Sequence, residues 1–188
     1  MRTAIKMKLD KLEDTIEIPP KVSVNIKGYL IIVKGEKGEV TKKITDPSVN
    51  VTVKGNEIIV YADNATKTHK TLIYTLSAHI KNMINGVTKG HKYILKICAS
   101  HFPMNVTVAN NQVVIKNFIG EKVPRTISIP AGTSVKIQDT EITVDGIDLE
   151  TVSQLAASIE QSTRRANFDK RRFMDGIYIT HKDGKSLV

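Results

Sequence analysis

The chain has 188 residues, with 28 Lys and Arg against 19 Asp and Glu, for a formal net charge of +9. Its 40% hydrophobic content supports true cores and excludes global disorder, and no run of about 18 apolar residues is present to span a membrane. One cysteine, Cys98, excludes an internal disulfide and fits a reducing compartment.

The opening residues, 1–7, carry charge with no apolar stretch behind them, so no secretory signal is expected. Residues 5–18 alternate loosely and then meet Ile18-Pro-Pro20, where two prolines stop a strand ladder. From Val22 to Val60 the period is two, which predicts strands. Asn25-Ile-Lys-Gly28 and Lys54-Gly-Asn56 have the glycine that hairpin turns use. Lys34-Gly-Glu-Lys-Gly38 reads as a longer polar connection. A helix follows, capped by Thr66 or Thr68. Its apolar stripe is Leu72, Leu76, Ile80 and Met83 or Ile84, and Asn85-Gly86 closes it. Val87-Thr-Lys-Gly90 reads as a hinge. A strand begins at His91, breaks at His101-Phe-Pro103, and further strands continue through Val144. A second helix starts at Asp148 or Thr151 with the stripe Val152, Leu155 and Ile159. Met174-Asp-Gly-Ile-Tyr178 reads as a turn leading into a short extended segment.

The two halves repeat one another. Val22-Ser-Val-Asn-Ile26 and Leu30-Ile-Ile-Val-Lys-Gly35 match Met104-Asn-Val-Thr-Val108 and Gln112-Val-Val-Ile-Lys-Asn117 at an offset of 82 residues. Val51-Thr-Val53 and Glu57-Ile-Ile-Val60 match Val135-Lys-Ile137 and Glu141-Ile-Thr-Val144 at an offset of 84. The expected fold class is therefore α+β: two tandem similar domains, each a small, mainly antiparallel sheet packed against a helix. The expected limits are 1–86 for the first domain, 87–180 for the second with a basic extension, and 181–188 for a polar tail.

A search for reactive chemistry finds little. The five histidines form no HxH or HExxH arrangement, and Cys98 with His101 fills only two of the four positions of a structural zinc. Cys98 lies in an alternating run with Ile94 and Lys96, which suits a small side chain in a sheet better than a nucleophile. The 34–38 segment lacks the order of a phosphate loop. No catalytic residue, metal or cofactor is expected.

The charge is more informative. Both halves are mildly basic, but Arg164, Arg165, Lys170, Arg171 and Arg172 fall within nine residues, with Phe168 inside the run and Phe173 directly after it. Arginine offers a planar fork of donors that matches phosphate. A run this dense gives salt-dependent attraction to a phosphate backbone. The aromatics either stack on unpaired bases or pin the segment to the second domain. Asp169 and Asp175 interrupt the run and suggest a segment of defined geometry. Lys116, Lys122 and Arg125 surround a turn, and Lys89 and Lys92 flank the hinge, as smaller basic candidates.

Four segments carry a resemblance: Asn82-Met-Ile-Asn-Gly-Val-Thr-Lys-Gly90, Ser100-His-Phe-Pro-Met-Asn-Val106, Asn117-Phe-Ile-Gly-Glu-Lys122 and Phe173-Met-Asp-Gly-Ile-Tyr178. In this order they resemble protein six of the large ribosomal subunit in its archaeal and eukaryotic form. The resemblance covers nearly the whole chain. It implies two similar α+β domains and a structural, non-catalytic role in the cytosolic ribosome. It implies binding to large-subunit rRNA near the stalk base and the loop that translational GTPases contact, with neighbouring ribosomal proteins as further partners and no membrane. The second domain and its extension would make much of the RNA contact. That points to Lys116, Lys122, Arg125, Arg164, Arg165, Lys170, Arg171 and Arg172, with His101 near the RNA-facing side. The competing expectation is a free adaptor that binds proteins through its paired sheets.

Overall fold

A computed structural model describes residues 9–187 apart from 45, 168 and 170. The described residues fall into two compact units, divided between Lys89 and Gly90.

The first unit contains β1 (Leu9–Glu17), β2 (Ser23–Lys27), β3 (Leu30–Gly35), β4 (Gly38–Lys43), β5 (Asn50–Lys54), β6 (Glu57–Ala65) and α1 (Lys67–Thr88). Its strands form two antiparallel three-stranded sheets, ordered β1-β6-β5 and β2-β3-β4. The second unit contains β7 (His91–Cys98), β8 (Asn105–Ala109), β9 (Gln112–Lys116), β10 (Arg125–Ser128), β11 (Thr133–Gln138), β12 (Glu141–Gly146), α2 (Leu149–Ser162), β13 (Gly176–Lys182) and β14 (Lys185–Ser186). Its sheets are β10-β9-β8 and β11-β12-β7-β13-β14. Strand for strand, β7 to β12 repeat β1 to β6, so each unit has two small sheets and a helix rather than a single sheet. The second unit departs from the repeat in one respect. The outer edge of β7 is paired with β13, whereas β1 ends its sheet in the first unit.

Period-two burial drives these strands. Ile31 and Val33 point inward from β3 and are fully buried, and Val113 and Ile115 do the same from β9. The turns use the residues that positive φ requires. Gly28 (φ 59°) and Gly55 (φ 62°) open two-residue turns in the first unit, and Asn110 and Asn111 (φ 50° and 58°) join β8 to β9. The 34–38 segment is a tight turn rather than a longer connection: Gly35 pairs with Gly38, leaving Glu36 and Lys37 at the tip. The tip is held from outside the hairpin. The Lys37 amide donates to the Val87 carbonyl at 3.0 Å, and its Nζ donates to the Lys89 carbonyl at the end of α1. A cation suits that negative end of the helix.

Thr66 caps α1, and its partner in the capping box is His69, whose Nδ1 accepts from the Thr66 amide at 3.3 Å. The buried face of α1 is Ile73, Ser77, Ile80, Met83, Ile84 and Val87, one residue round from the expected Leu72 and Leu76, which are only half-buried. The helix also passes the expected stop. Asn85-Gly86 lies inside it, because Gly86 and Val87 still pack inward and that burial outweighs the helix penalty of glycine. The left-handed residue that ends it is Gly90, at φ 76°. The expected hinge at 87–90 is therefore mostly helix.

Asp148 caps α2 by accepting from the amides of Glu150 and Thr151, and Val152, Leu155 and Ile159 are buried as their spacing predicts. They join Leu95, Ile142 and Phe118 in the core of the second unit. Residues 181–187 are not a tail. Asp183 and Gly184 (φ 48° and 82°) turn β13 back into β14, and buried His91 fixes this turn through Nδ1 to Asp183 Oδ2 at 3.0 Å.

Candidate nucleic-acid interface

Three stretches far apart in sequence converge in the second unit: 100–102, the turn around Phe118–Gly120, and the segment between α2 and β13. Each is positioned by a distinct device.

Asp175 organises the first and third. It is 8% exposed and accepts four hydrogen bonds: from the Ser100 amide at 2.7 Å, Ser100 Oγ at 3.0 Å, the His101 amide at 3.0 Å and His101 Nδ1 at 2.6 Å. Burial alone would raise its carboxyl, but the bonds from His101 and Ser100 prevail and hold it far below the usual carboxylate range. The His101 ring stays about half exposed and lies 5.2 Å from the Phe173 ring. Phe173 thus touches the clasp through this ring contact while remaining 38% exposed; Phe168 lies outside the described residues.

The turn is conformationally unusual. Asn117, Ile119 and Gly120 all have positive φ, at 59°, 48° and 76°. For the β-branched Ile119 this is a strained position that the surroundings must enforce. Asn117 Nδ2 donates to the Pro103 carbonyl at 2.9 Å, and the core takes Phe118, only 2% exposed. Arg125 completes the brace. Its fork bonds Glu121 in bidentate fashion, Nε to Oε2 at 2.8 Å and Nη2 to Oε1 at 2.5 Å, while Nη1 donates to the Ser162 carbonyl at the end of α2. The guanidinium also lies 4.5 Å over the Phe118 ring. The Arg125 hydrogen bond holds the Glu121 carboxyl below its ordinary value, and the Arg165 charge adds to this. Arg125 was expected to reach RNA; Glu121 and Ser162 take three of its five donors, and its side chain is 28% exposed. The signal available in sequence was Glu121 four residues before it; the Ser162 carbonyl is visible only in three dimensions.

The segment after α2 is tied down at its ends. Thr163 Oγ1 accepts from the Ile177 amide at 2.9 Å, and Glu160 Oε1 accepts from the Ile179 amide at 3.0 Å. Between them Arg164, Arg165, Arg171 and Arg172 are exposed. Arg171 pairs with Asp169, Nε to Oδ1 at 3.1 Å and Nη2 to Oδ2 at 3.1 Å, on the open surface. Lys170 lies outside the described residues. A cavity of about 270 Å³ opens where the stretches meet, lined among others by Ile119, Arg164, Arg165, Phe173, Ile177 and Tyr178. Burial raises the Tyr178 hydroxyl above its ordinary pKa, with nearby negative charge adding to the effect.

The remaining candidates are more scattered. Lys116 ends β9 and Lys122 follows the turn, both exposed. Lys92 is exposed on β7, its carbonyl accepting from the Asp183 amide, and Lys89 caps α1 in the first unit. Cys98 is half-buried at the end of β7, and His101 is bound to Asp175 rather than to it. Among the described residues there is no group of three or more His, Cys, Asp or Glu able to hold a metal. No described helix is long and apolar enough to cross a membrane.

Comparison with known proteins gives consistent matches. The family model described as ribosomal protein L6 matches residues 18–90 and again 102–176, one match for each unit. The chain is 43% identical to large ribosomal subunit protein uL6 of Ignicoccus hospitalis, over 87% of this chain and 91% of that protein. It is 43% identical to uL6 of Saccharolobus solfataricus, over 94% and 98%, and 41% identical to uL6 of Methanothrix thermoacetophila, over 89% and 95%.

Proposed function

The chain belongs to the ribosomal protein L6 family, and from that premise we propose that it binds large-subunit rRNA mainly through its second unit. As a member of that family it is a structural, non-enzymatic constituent of the large ribosomal subunit. The contact surface is the basic face formed where the 117–122 turn meets the 164–172 segment. Arg164, Arg165, Arg171 and Arg172 supply the phosphate contacts, with Lys116 and Lys122 beside them and Lys170 within the same run. Lys89 and Lys92 add weaker electrostatic attraction. Arg125 acts by bracing the turn, and His101 by fixing the segment while its exposed ring edge faces the RNA. The RNA region is the stalk base and the loop that translational GTPases approach, in ribosomes of the cytosol, among neighbouring large-subunit proteins.

The supporting observation is the convergence itself. Exposed arginines on a loop held at both ends are positioned in advance, so binding does not first have to order a flexible tail. Phosphate contacts made from such a frame set register, while the shape of the folded RNA supplies selectivity. The test is binding of the full chain to its rRNA across a salt series. Replacing Arg164, Arg165, Arg171 and Arg172 together with Ala is expected to weaken binding strongly and flatten its salt dependence. Unchanged affinity in that variant would overturn the proposal.

A further inference from the structure

We infer that the cavity between the 117–120 turn, the end of α2 and the start of β13 receives one unstacked nucleobase of the bound RNA. The inference rests on the RNA-binding reading above and adds a ligand to it: a flat heteroaromatic ring, where that reading needs only phosphate.

Size comes first. At about 270 Å³ the space lies below the roughly 300 Å³ at which pockets for drug-sized ligands begin. That suits a single base better than a larger ligand. The lining is chemically mixed in the way a base requires. Ile119 and Ile177 give apolar walls, and Phe173 brings an aromatic ring to the same space. Gln161 and Tyr178 also line it, and their side-chain polar groups have no hydrogen-bond partner among the described residues. A carboxamide carries both donors and an acceptor, and a phenol can do either, so together they match the polar edge of a base. By contrast, the Asp175 carboxylate facing the same space is already satisfied by Ser100 and His101.

Backbone strain is the second line of support. Ile119 reaches its place in the wall only by adopting φ 48°, a conformation costly for a β-branched residue. Strain of this kind persists where the surroundings over-determine it, and it clusters at ligand clamps. Arg164, on the same lining, places a positive charge where the phosphate of an inserted nucleotide would lie. An extruded base also fits the general mode in which RNA is recognised outside its duplexes, by apolar or aromatic contact with an unstacked ring and hydrogen bonds to its edge.

The experiment has two arms on the full chain. In the first, nucleoside 5′-monophosphates and ribose 5-phosphate are titrated separately while backbone amide resonances are followed. The monophosphates are expected to shift Ile119, Ile177 and Tyr178 saturably, and ribose 5-phosphate to leave these three in place, whatever its phosphate does at Arg164. Equal shifts with ribose 5-phosphate, or none with any monophosphate, would overturn the inference. In the second arm, Gln161→Ala with Tyr178→Phe is expected to lower rRNA affinity about tenfold while keeping the wild-type salt slope. Full affinity in that variant counts against the base pocket alone, provided the Arg164→Ala, Arg165→Ala variant still loses affinity and slope. If the arginine variant also binds like the wild type, it is the RNA-binding reading that fails.

Discussion

His101 Nδ1 lies 2.6 Å from Asp175 Oδ2, joining two residues 74 positions apart. The bond and its three companions connect the end of β7 to the entry of β13. Asp175→Asn replaces one acceptor oxygen with a donor and leaves part of the Ser100 and His101 donors unmatched. A loss of about 1–3 kcal/mol is expected by chemical denaturation. A variant as stable as the wild type would show the clasp to be dispensable.

The same carboxyl sets an acid dependence. Its folded pKa lies well below the ordinary value of 3.8, so its contribution is complete above that value and declines as pH falls through and beneath it. The wild type should lose stability below about pH 4, and Asp175→Asn should show a flatter acid limb. Parallel curves would exclude Asp175 as a source of that dependence.

Arg125 and Arg172 should separate structural from electrostatic roles. Arg125→Lys cannot reproduce the fork that meets Glu121 and Ser162, so it should cost about 1–3 kcal/mol of stability and leave the salt slope of RNA binding unchanged. Arg172→Ala should leave the melting temperature unchanged and reduce the salt slope by about 1. The reverse pattern would exchange the two assignments.

In the first unit, Gly35 lies under the end of α1. A Cβ there would come within 2.7 Å of the Val87 side chain and 2.9 Å of the Val87 carbonyl oxygen. Gly35→Ala should cost about 1–3 kcal/mol by overpacking. A neutral result in thermal unfolding would mean that α1 shifts freely.

Ser77 offers a gain. It is 1% exposed in α1, and its Oγ has no hydrogen-bond partner among the described residues. Ser77→Ala removes a buried hydroxyl and improves helix propensity, so it should stabilise the chain by about 1 kcal/mol. Destabilisation would reveal a polar partner for that hydroxyl.

Much of this was legible in the sequence where physics is local. The duplication and the stripe of α2 follow from spacing and side-chain type, and each helix cap was narrowed to two residues, of which the structure uses Thr66 and Asp148. What failed did so where distant packing decides. Gly86 looked like a helix stop, but the burial of Val87 carries the helix onward. The internal bond of Arg125 to the Ser162 carbonyl, 37 residues away, is likewise invisible to spacing. The hairpin at 181–187 is a missed local signal, since Asp183-Gly184 is a strong turn pair. Of the interface, the basic run could be read from composition. The clasp that shapes it could be read only in part: Asp175 suggests a segment of defined geometry, but its partner His101, 74 residues away, is not visible in spacing.

The pairing of β13 with β7 also means that the arginine segment is framed only after β13 has been made. A growing chain that has made α2 but not β13 holds its arginine segment by one end only. The loop is closed when Ile177 and Ile179 reach Thr163 and Glu160. A truncated product lacking β13 would keep every arginine and lose the frame that aims them. Extension through β13 is thus what turns a basic stretch into a shaped one.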